Sequence, residues 1–501
     1  MTIQFDAIPV DIRTNAVLIE FSNRRATRGV VGIPSRMLLI AQRLSTGSAT
    51  PLSLYQVVET EEAEGLGGRG SQLHRMVRAL RGGNSTSRRI AAANAWTELW
   101  VIALDDLVAG AKAAGNILFG GDPTAAGTLN LYIGGERVRV AVTAENTPAQ
   151  VATAVAAAIN AVTDLPVTAA VNGSVAAQVD ITARHKGECG NDIDLRLDYY
   201  AGEYTPLGLT ATITALSGGT GNPDIAPALA LMADVWYTDL ITPWTDAANL
   251  TALRTEMESR WGPLQQVGCY AYTAAKGTFS ALSTLGNAKN DKLLTIIGAG
   301  KSPTPPDEWA AQVGGVCAYE RKRDPARPMQ TVPLPGVLPP APADRFDQTK
   351  RNLLLFDGIS TYKVDADGAV AIDRIVTTYQ KNSLNIDDPS YLDATTLWCL
   401  ETSRYHFRAK IAQRYPRHKL APDGNRFGVG TDIATPSGIF GTLVAAYGDL
   451  IEAGICHDMP TFKADSLVEI DPADRNRANA KLAVTFVGGL IVFAAQIEFR
   501  L

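Results

Sequence analysis

The stretch Lys481-Leu482-Ala483-Val484-Thr485-Phe486-Val487-Gly488-Gly489, continued by Leu490-Ile491-Val492-Phe493-Ala494-Ala495-Gln496-Ile497-Glu498-Phe499-Arg500-Leu501, decides how the rest of the chain is read. Leu482, Val484 and Phe486 alternate with Lys481, Ala483 and Thr485, the period of a strand buried on one face. Gly488-Gly489 interrupts the run, and a longer one follows from Leu490 to Phe499. Ile491, Phe493, Ile497 and Phe499 fall on one side of it, with Gln496, Glu498 and Arg500 on the other. The run continues to Leu501 without a polar tail, and a terminal strand stays ordered only when something ties it down. Two partners are open: another strand of the same sheet, or the sheet edge of a neighbouring molecule.

A chain of 501 residues exceeds one ordinary core and predicts about two to four domains. A hydrophobic content of 46% and a charged content of 19% belong to a globular protein. The net charge of −5 argues against a general nucleic-acid-binding surface. No apolar run approaches the ~20 residues that span a membrane. Met1 to Asp6 lacks the basic start and apolar core of a signal peptide. Cys189, Cys269, Cys317, Cys399 and Cys456 are scattered and odd in number, which speaks for a reducing cytoplasm during synthesis and against a disulfide framework.

Near the start, Ala16-Val17-Leu18-Ile19-Glu20-Phe21 reads as a strand, and Met37 to Ala41 as a second. Gly65-Leu66-Gly67-Gly68-Arg69-Gly70 matches GxGxxG in letters only. Acidic Glu61-Glu62-Ala63-Glu64 precedes it where a strand is needed, and Arg88-Arg89 stands where the ribose-binding acid belongs. A flexible turn is expected there, before a helix from Ser71 to Arg81 with Ser71 as N-cap and Leu73, Val77 and Leu80 as its apolar stripe.

From about 112 to 220 the composition shifts to Ala, Thr, Val and Gly. Thr128 to Ile133 and Val138, Val140, Val142 alternate around Gly134-Gly135, a hairpin signal. Thr147-Pro148 opens a helix, and strands follow at Val167 to Ala170, Val179 to Ala183 and Ile193 to Tyr199. Ser217 to Gly221 reads as the return linker. With no cluster of acids, histidines or cysteines, this β-rich module is a surface insertion and not a reaction centre.

Three βα units succeed it: strands at Val235 to Ile241, Val267 to Tyr272 and Leu293 to Ile297, with helices at Asp246 to Trp261, Thr278 to Leu285 and Pro306 to Tyr319. Gly298-Ala299-Gly300-Lys301-Ser302 ends like a phosphate-binding loop. Thr295 replaces the required first glycine, and Pro303, Pro305 and Pro306 keep Lys301 and Ser302 out of a helix. A plain βα loop is the better reading. Prolines then mark an irregular crossing from Asp324 to Gly336.

Gly358 to Val364 and Val370 to Val376 form a hairpin around Asp365-Ala366-Asp367-Gly368, and Asp388-Pro389 opens a long helix to about Tyr415 with a basic end: Arg408, Lys410, Arg414, Arg417, Lys419. Thr435-Pro436 starts another helix, stopped at Gly454. Cys456-His457-Asp458 lacks a second ligand pair and no GxSxG is present, so no metal ligand, catalytic residue or cofactor site is assigned. The five histidines read as structural.

Several short stretches together resemble the contractile-tail sheath proteins of Mu-like phages and related tail particles. They are Ala16 to Phe21, Gly68-Arg69-Gly70-Ser71-Gln72-Leu73-His74-Arg75-Met76-Val77, Ala183-Arg184-His185-Lys186-Gly187-Glu188-Cys189-Gly190-Asn191-Asp192-Ile193, Asp324-Pro325-Ala326-Arg327-Pro328, and the terminal strands. One departure is Asn15-Ala16, where many sheaths begin the first strand with Pro-Gly. The resemblance implies a structural protein and no enzyme: subunits in stacked hexameric rings around a tail tube. N- and C-terminal strands of neighbours would complete a shared sheet, with Val17, Ile19, Phe21, Ile491, Phe493, Ile497 and Phe499 as inter-subunit candidates. It further implies contraction that drives the tube through a bacterial envelope for genome ejection. The implied partners are the tube, baseplate and tail terminator, with no direct nucleic-acid contact and no membrane insertion. The implied setting is the virion, after assembly in host cytoplasm.

The expected architecture is a multidomain α/β and α+β chain: a βα-repeat core with a mixed sheet, an inserted β-rich module, and terminal strands available for inter-subunit pairing. The expected divisions are 1–111 (arm and first part of the core), 112–220 (insertion), 221–345 (βα repeats) and 346–501 (C-terminal domain). The competing classes are a nucleotide-binding enzyme on the βα units, and a static tail or capsid protein.

Overall fold

Strand β1 (Arg36–Gln42) is buried on both faces, from Met37 to Gln42. That pattern belongs to the middle of a parallel sheet covered by helices on each side. The computed structural model describes residues 29–81, 98–425, 427–428 and 431–500. Its described residues pack as two bodies: 34–401 with 489–500, and 402–488 with 29–33.

In the larger body β2 (Leu54–Gln56) leads to helices α1 (Thr60–Gly67) and α2 (Gln72–Leu80), then to β3 (Glu98–Leu104). β3 lies parallel to β1 from Arg36↔Glu98 to Gln42↔Leu104, and β2 is antiparallel on its outer side. Gly65 and Gly67 are the end of α1, so the expected flexible turn shrinks to Gly68–Gly70. Ser71 caps α2 by accepting from His74 N at 3.0 Å. The helix is more than a stripe: Gln72, His74 and Arg75 are buried together with Leu73, Val77 and Leu80, because structure covers it on several sides.

The chain then leaves for the insertion. β4 (Lys112–Gly120), β5 (Gly127–Ile133), β6 (Glu136–Val142), α3 (Pro148–Ala161), β7 (Val167–Val171), β8 (Gln178–Lys186), β9 (Leu195–Leu197) and β10 (Thr210–Ser217) follow in order. They form two antiparallel sheets, β10-β4-β8-β7 and β6-β5-β9. Gly134 and Gly135 both have positive φ, 56° and 84°, as the primed turn of the β5–β6 hairpin requires. Thr147 and Gln150 close a capping box on α3. The strand expected at Ile193 to Tyr199 is only Leu195–Leu197. The insertion has a core of its own, in which Val151, Val155 and Ile159 of α3 meet Ile117, Leu129, Leu131, Val140 and Ile181.

After the short α4 (Ala226–Ala230) come β11 (Asp239–Ile241), α5 (Ala247–Trp261), β12 (Tyr270–Lys276), α6 (Phe279–Asn287), β13 (Leu294–Gly300) and α7 (Pro306–Arg323). β11 is shorter than its apolar run, since Arg260 binds the carbonyls of Ala233 (2.8 Å) and Val235 and holds them off the ladder. α8 (Gln348–Phe356), β14 (Ile359–Val364) and β15 (Val370–Arg374) complete one mixed eight-stranded sheet, β15-β14-β13-β12-β11-β1-β3-β2. All neighbouring pairs are parallel except at the two edges.

The block expected at 346–501 is therefore shared. Residues 346–401 lie with the eight-stranded sheet, and α9 (Ala394–Arg414) belongs to the smaller body from Thr402 on. α9 starts at Ala394, not at Pro389, because the Asp388 carboxylate accepts from Ser390 N and Tyr379 Oη and fixes a turn there. The smaller body adds β16 (Lys419–Leu420), β17 (Ile433–Ala434), α10 (Pro436–Glu452), α11 (Met459–Asp465), β18 (Leu467–Ile470) and β19 (Ala478–Lys481). Its centre is the stack of Tyr447 on Phe462, ring centroids 3.9 Å apart, with Leu443, Leu450 and Phe407 around it.

Candidate functional site

The terminal run behaves as two different pieces. Leu482 to Val487 is tied within the smaller body: His457 N donates to Thr485 O at 3.0 Å and Val487 N to Ile455 O at 3.0 Å. Tyr447 Oη accepts from Thr485 N and donates to His457 O, so one phenol takes the place of a partner strand. The expected strand there is reduced to a single bridge, Cys456↔Phe486.

Beyond Gly489 the chain has no regular secondary structure and no strand pairing among the described residues. Its root is seated on the proline-rich crossing. Gln330 Nε2 donates to Leu490 O at 2.9 Å, and a Cβ on Gly489 would come within 2.7 Å of Pro328 Cγ. Further on, Phe493, Ile497 and Phe499 are 82%, 88% and 79% exposed, and Ile491 is half-buried. An exposed segment without ladder partners beside large apolar side chains is the kind of surface that can add to a sheet edge. Val17, Ile19 and Phe21, the N-terminal candidates, lie outside the described residues.

A second feature was invisible in the sequence. The strand order reverses at β1, where the chain goes first to β3 and later to β11 on the other side. Open α/β sheets bind ligands in the crevice outside the carboxyl ends of the strands at such a point. Here the root of the insertion occupies it. Gln42, ending β1, donates through Nε2 to Lys186 O (2.9 Å) and Asp106 Oδ1 (2.8 Å). Lys276, ending β12, donates to Asp192 O at 2.9 Å, and Asn222 joins Asp246 to Glu188. A Cβ on Gly70, which has φ 76°, would lie 2.6 Å from Thr163 O, so only glycine allows this approach.

The charges in this joint are arranged for a fixed structure. His185 Nδ1 faces Asp106 Oδ1 at 2.8 Å while its Nε2 accepts from Gln72 N at 3.0 Å, which assigns the neutral tautomer with hydrogen on Nδ1. Burial lowers the His185 pKa against the pull of Asp106. Burial works to raise Asp106, yet hydrogen bonds from His185 and Lys186 N hold it below its usual range. Asp192 is pushed up to about 6 by burial. Deeper in, Arg75 bridges Asp307 and Glu308, each at 2.6 Å.

The stretches singled out for chemistry are used internally. Ser302 is fully buried, donates to Leu338 O at 2.6 Å and accepts from Trp309 Nε1 at 2.9 Å. Lys301 pairs with Asp344 at the surface. Asp458 caps α11 from a left-handed conformation, and burial pushes the Cys456 thiol up to about 11. The basic end of α9 is partly engaged, with Lys410 Nζ 2.8 Å from Asp449.

Known proteins resemble the chain on three scales. A family profile for the phage tail sheath protein central domain matches residues 218–378, from the return of the insertion through β15. Among solved structures, the sheath tail protein of Listeria innocua is similar at 14% identity and TM-score 0.48, covering 92% of this chain and 94% of that one. A sheath tail protein of Desulfitobacterium hafniense is similar at 12% and 0.46, covering 94% and 100%. The Mu-like prophage FluMu tail sheath protein of Haemophilus influenzae is 38% identical over 501 residues, all of both chains. The chain belongs to the phage tail sheath family and is a structural subunit of a phage tail.

Proposed function

We propose that this subunit polymerises as stacked hexameric rings around a tail tube, and that the sheath contracts to drive the tube through the bacterial envelope for genome ejection. The observation that carries the reading is the exposed apolar run from Leu490 to Arg500, which has no strand pairing among the described residues. Each backbone hydrogen bond it makes in a neighbour's sheet is worth about 0.5–1.5 kcal/mol net. Burial of Phe493, Ile497 and Phe499 adds about 1.5–3 kcal/mol apiece. A linkage through strands can persist while rigid bodies slide and repack, so contraction needs a lower-energy packing and a trigger, and no catalytic group. The tube, baseplate and tail terminator are the partners of such a polymer, none of which demands nucleic-acid contact. Particles would be assembled in the host cytoplasm and carried on the virion.

Electron microscopy of the purified full-length protein tests this reading. Tubular polymers with sixfold end views are the expected result. A protein that stays monomeric under all conditions, or that closes into rings of another symmetry, overturns it.

A further inference from the structure

At the carboxyl ends of the parallel pair β13 and β14 lies a cavity of about 190 Å³, lined by Gly298, Arg345, Phe346, Arg351, Thr361 and Tyr362. It is separate from the crevice that the insertion fills and from the terminal arm. Two arginines border it. Arg345 spends one donor, Nε, on Pro340 O at 3.1 Å. Arg351 donates from Nε to Asp373 (3.0 Å) and from Nη1 to Phe346 O (3.0 Å). Both Nη of Arg345 and Nη2 of Arg351 have no protein acceptor among the described residues. One carboxylate, Asp373, faces the cations Arg351 and Lys363 directly, and Asp344 is engaged by Lys301. The lining is also aromatic, through Phe346 and Tyr362. Tyr362 is nearly buried, donates to Ala299 O and packs on Trp309, ring centroids 4.7 Å apart.

We infer that this cavity is a binding site for a small oxyanion, a phosphate or a carboxylate, held in a fork between Arg345 and Arg351. Planar guanidinium donors match two oxygens of such a group, and a partly enclosed setting strengthens the charge-assisted bonds. The opening lies at the carboxyl ends of two neighbouring parallel strands, away from β1, where the strand order reverses. The anion could be free in solution or presented by a side chain of a second copy.

The test uses the unpolymerised full-length chain, so its outcome is independent of the assembly reading. Phosphorus NMR of inorganic phosphate at constant ionic strength should show saturable line broadening by the protein, reversed by acetate. Arg345→Gln, which gives up a single protein hydrogen bond, should weaken binding roughly ten- to hundredfold with an unchanged Tm. Arg351→Gln should weaken it similarly, and it is judged only if its melting curve is native. Absence of broadening, or equal broadening by wild type and Arg345→Gln, overturns the site. Repeating the measurement on polymer identifies the source. Retained broadening marks a free anion, and its loss on polymerisation marks a neighbour's carboxylate.

Discussion

Arg75 Nη2 lies 2.6 Å from Asp307 Oδ2, joining the middle of α2 to the first turn of α7 across 232 residues of sequence. Both side chains are almost fully buried, and Glu308 completes the fork at 2.6 Å. Removing one partner from such a pair leaves charge stranded in a low-dielectric interior. Arg75→Ala should cost about 3–5 kcal/mol, read from the urea midpoint. Arg75→Met combined with Asp307→Asn and Glu308→Gln should recover most of it. If the triple variant is no better than Arg75→Ala, the cost lies in lost packing and not in stranded charge.

The insertion should be separable. Its ends meet at the bridge Ala111↔Thr220, with Ala111 N to Thr220 O at 2.9 Å and the reverse bond at 3.2 Å, and it owns its hydrophobic core. Deleting 112–219 should leave a soluble protein with a cooperative melt, because the groups it uncovers, Gln42, Asp106 and Lys276, are polar and accept water. Residues 110–222 alone should also melt cooperatively. Insolubility of both pieces would show that the joint is part of a single folding unit.

Much of this was legible because it is local. Thr147-Pro148 and Ser71 announce helices by capping chemistry that needs only three or four neighbours, and Gly134-Gly135 announces a hairpin. Lys112–Gly120 was missed as a strand since Ala-Ala-Gly-Asn breaks its alternation, although β8 and β10 both pair with it. The joint around His185 could not be read, because its partners Asp106 and Gln72 stand 79 and 113 residues away. The terminal arm lay between: its apolar face is in the sequence, but its lack of a strand partner among the described residues is a tertiary fact.

Acid should loosen that joint through His185. Its pKa is lowered on folding from an ordinary value of 6.5, so below that pH the unfolded chain binds the proton first and stability falls. Asp106, held low when folded, adds a further loss at more acidic pH, while Asp192, raised to about 6, acts in the opposite sense as pH falls. The difference between wild type and His185→Gln isolates the histidine. Calorimetric Tm values from pH 8 to 5 should show wild type ahead at pH 8 and the gap closing through about 6.5. A gap that widens in acid contradicts the neutral tautomer.

Lys301→Ala should leave stability within about 0.5 kcal/mol, since the Lys301–Asp344 pair is well exposed. ATP should not shift Tm beyond what inorganic phosphate does at the same ionic strength, because Ser302, which a phosphate-binding loop would offer to a metal, is committed to Leu338 O and Trp309. A ligand at 100 times its Kd would add about 2.7 kcal/mol. A rise in Tm with ATP well beyond that given by inorganic phosphate would therefore reopen the nucleotide-binding alternative.

Removal of Ile497 to Leu501 separates the two partners open to the terminal strand. Ile497 and Phe499 are 88% and 79% exposed, so their loss uncovers almost no core of the subunit. Surface losses of this kind stay within about 0.5 kcal/mol, and the shortened monomer should melt as the full-length one does. Its polymers should nevertheless be absent in electron micrographs, because the strand proposed to bridge subunits has lost its two outermost anchors. Phe493→Asp should act in the same way from the middle of the strand, and a peptide of residues 489–501 added in excess should slow polymerisation of the intact protein by competing for the sheet edge. Pairing inside the subunit makes the opposite forecast: two buried side chains lost, several kcal/mol of monomer stability gone, and no effect of the peptide. A shortened monomer that unfolds, or one that melts normally and still forms tubes, removes the support for strand exchange through this end of the chain.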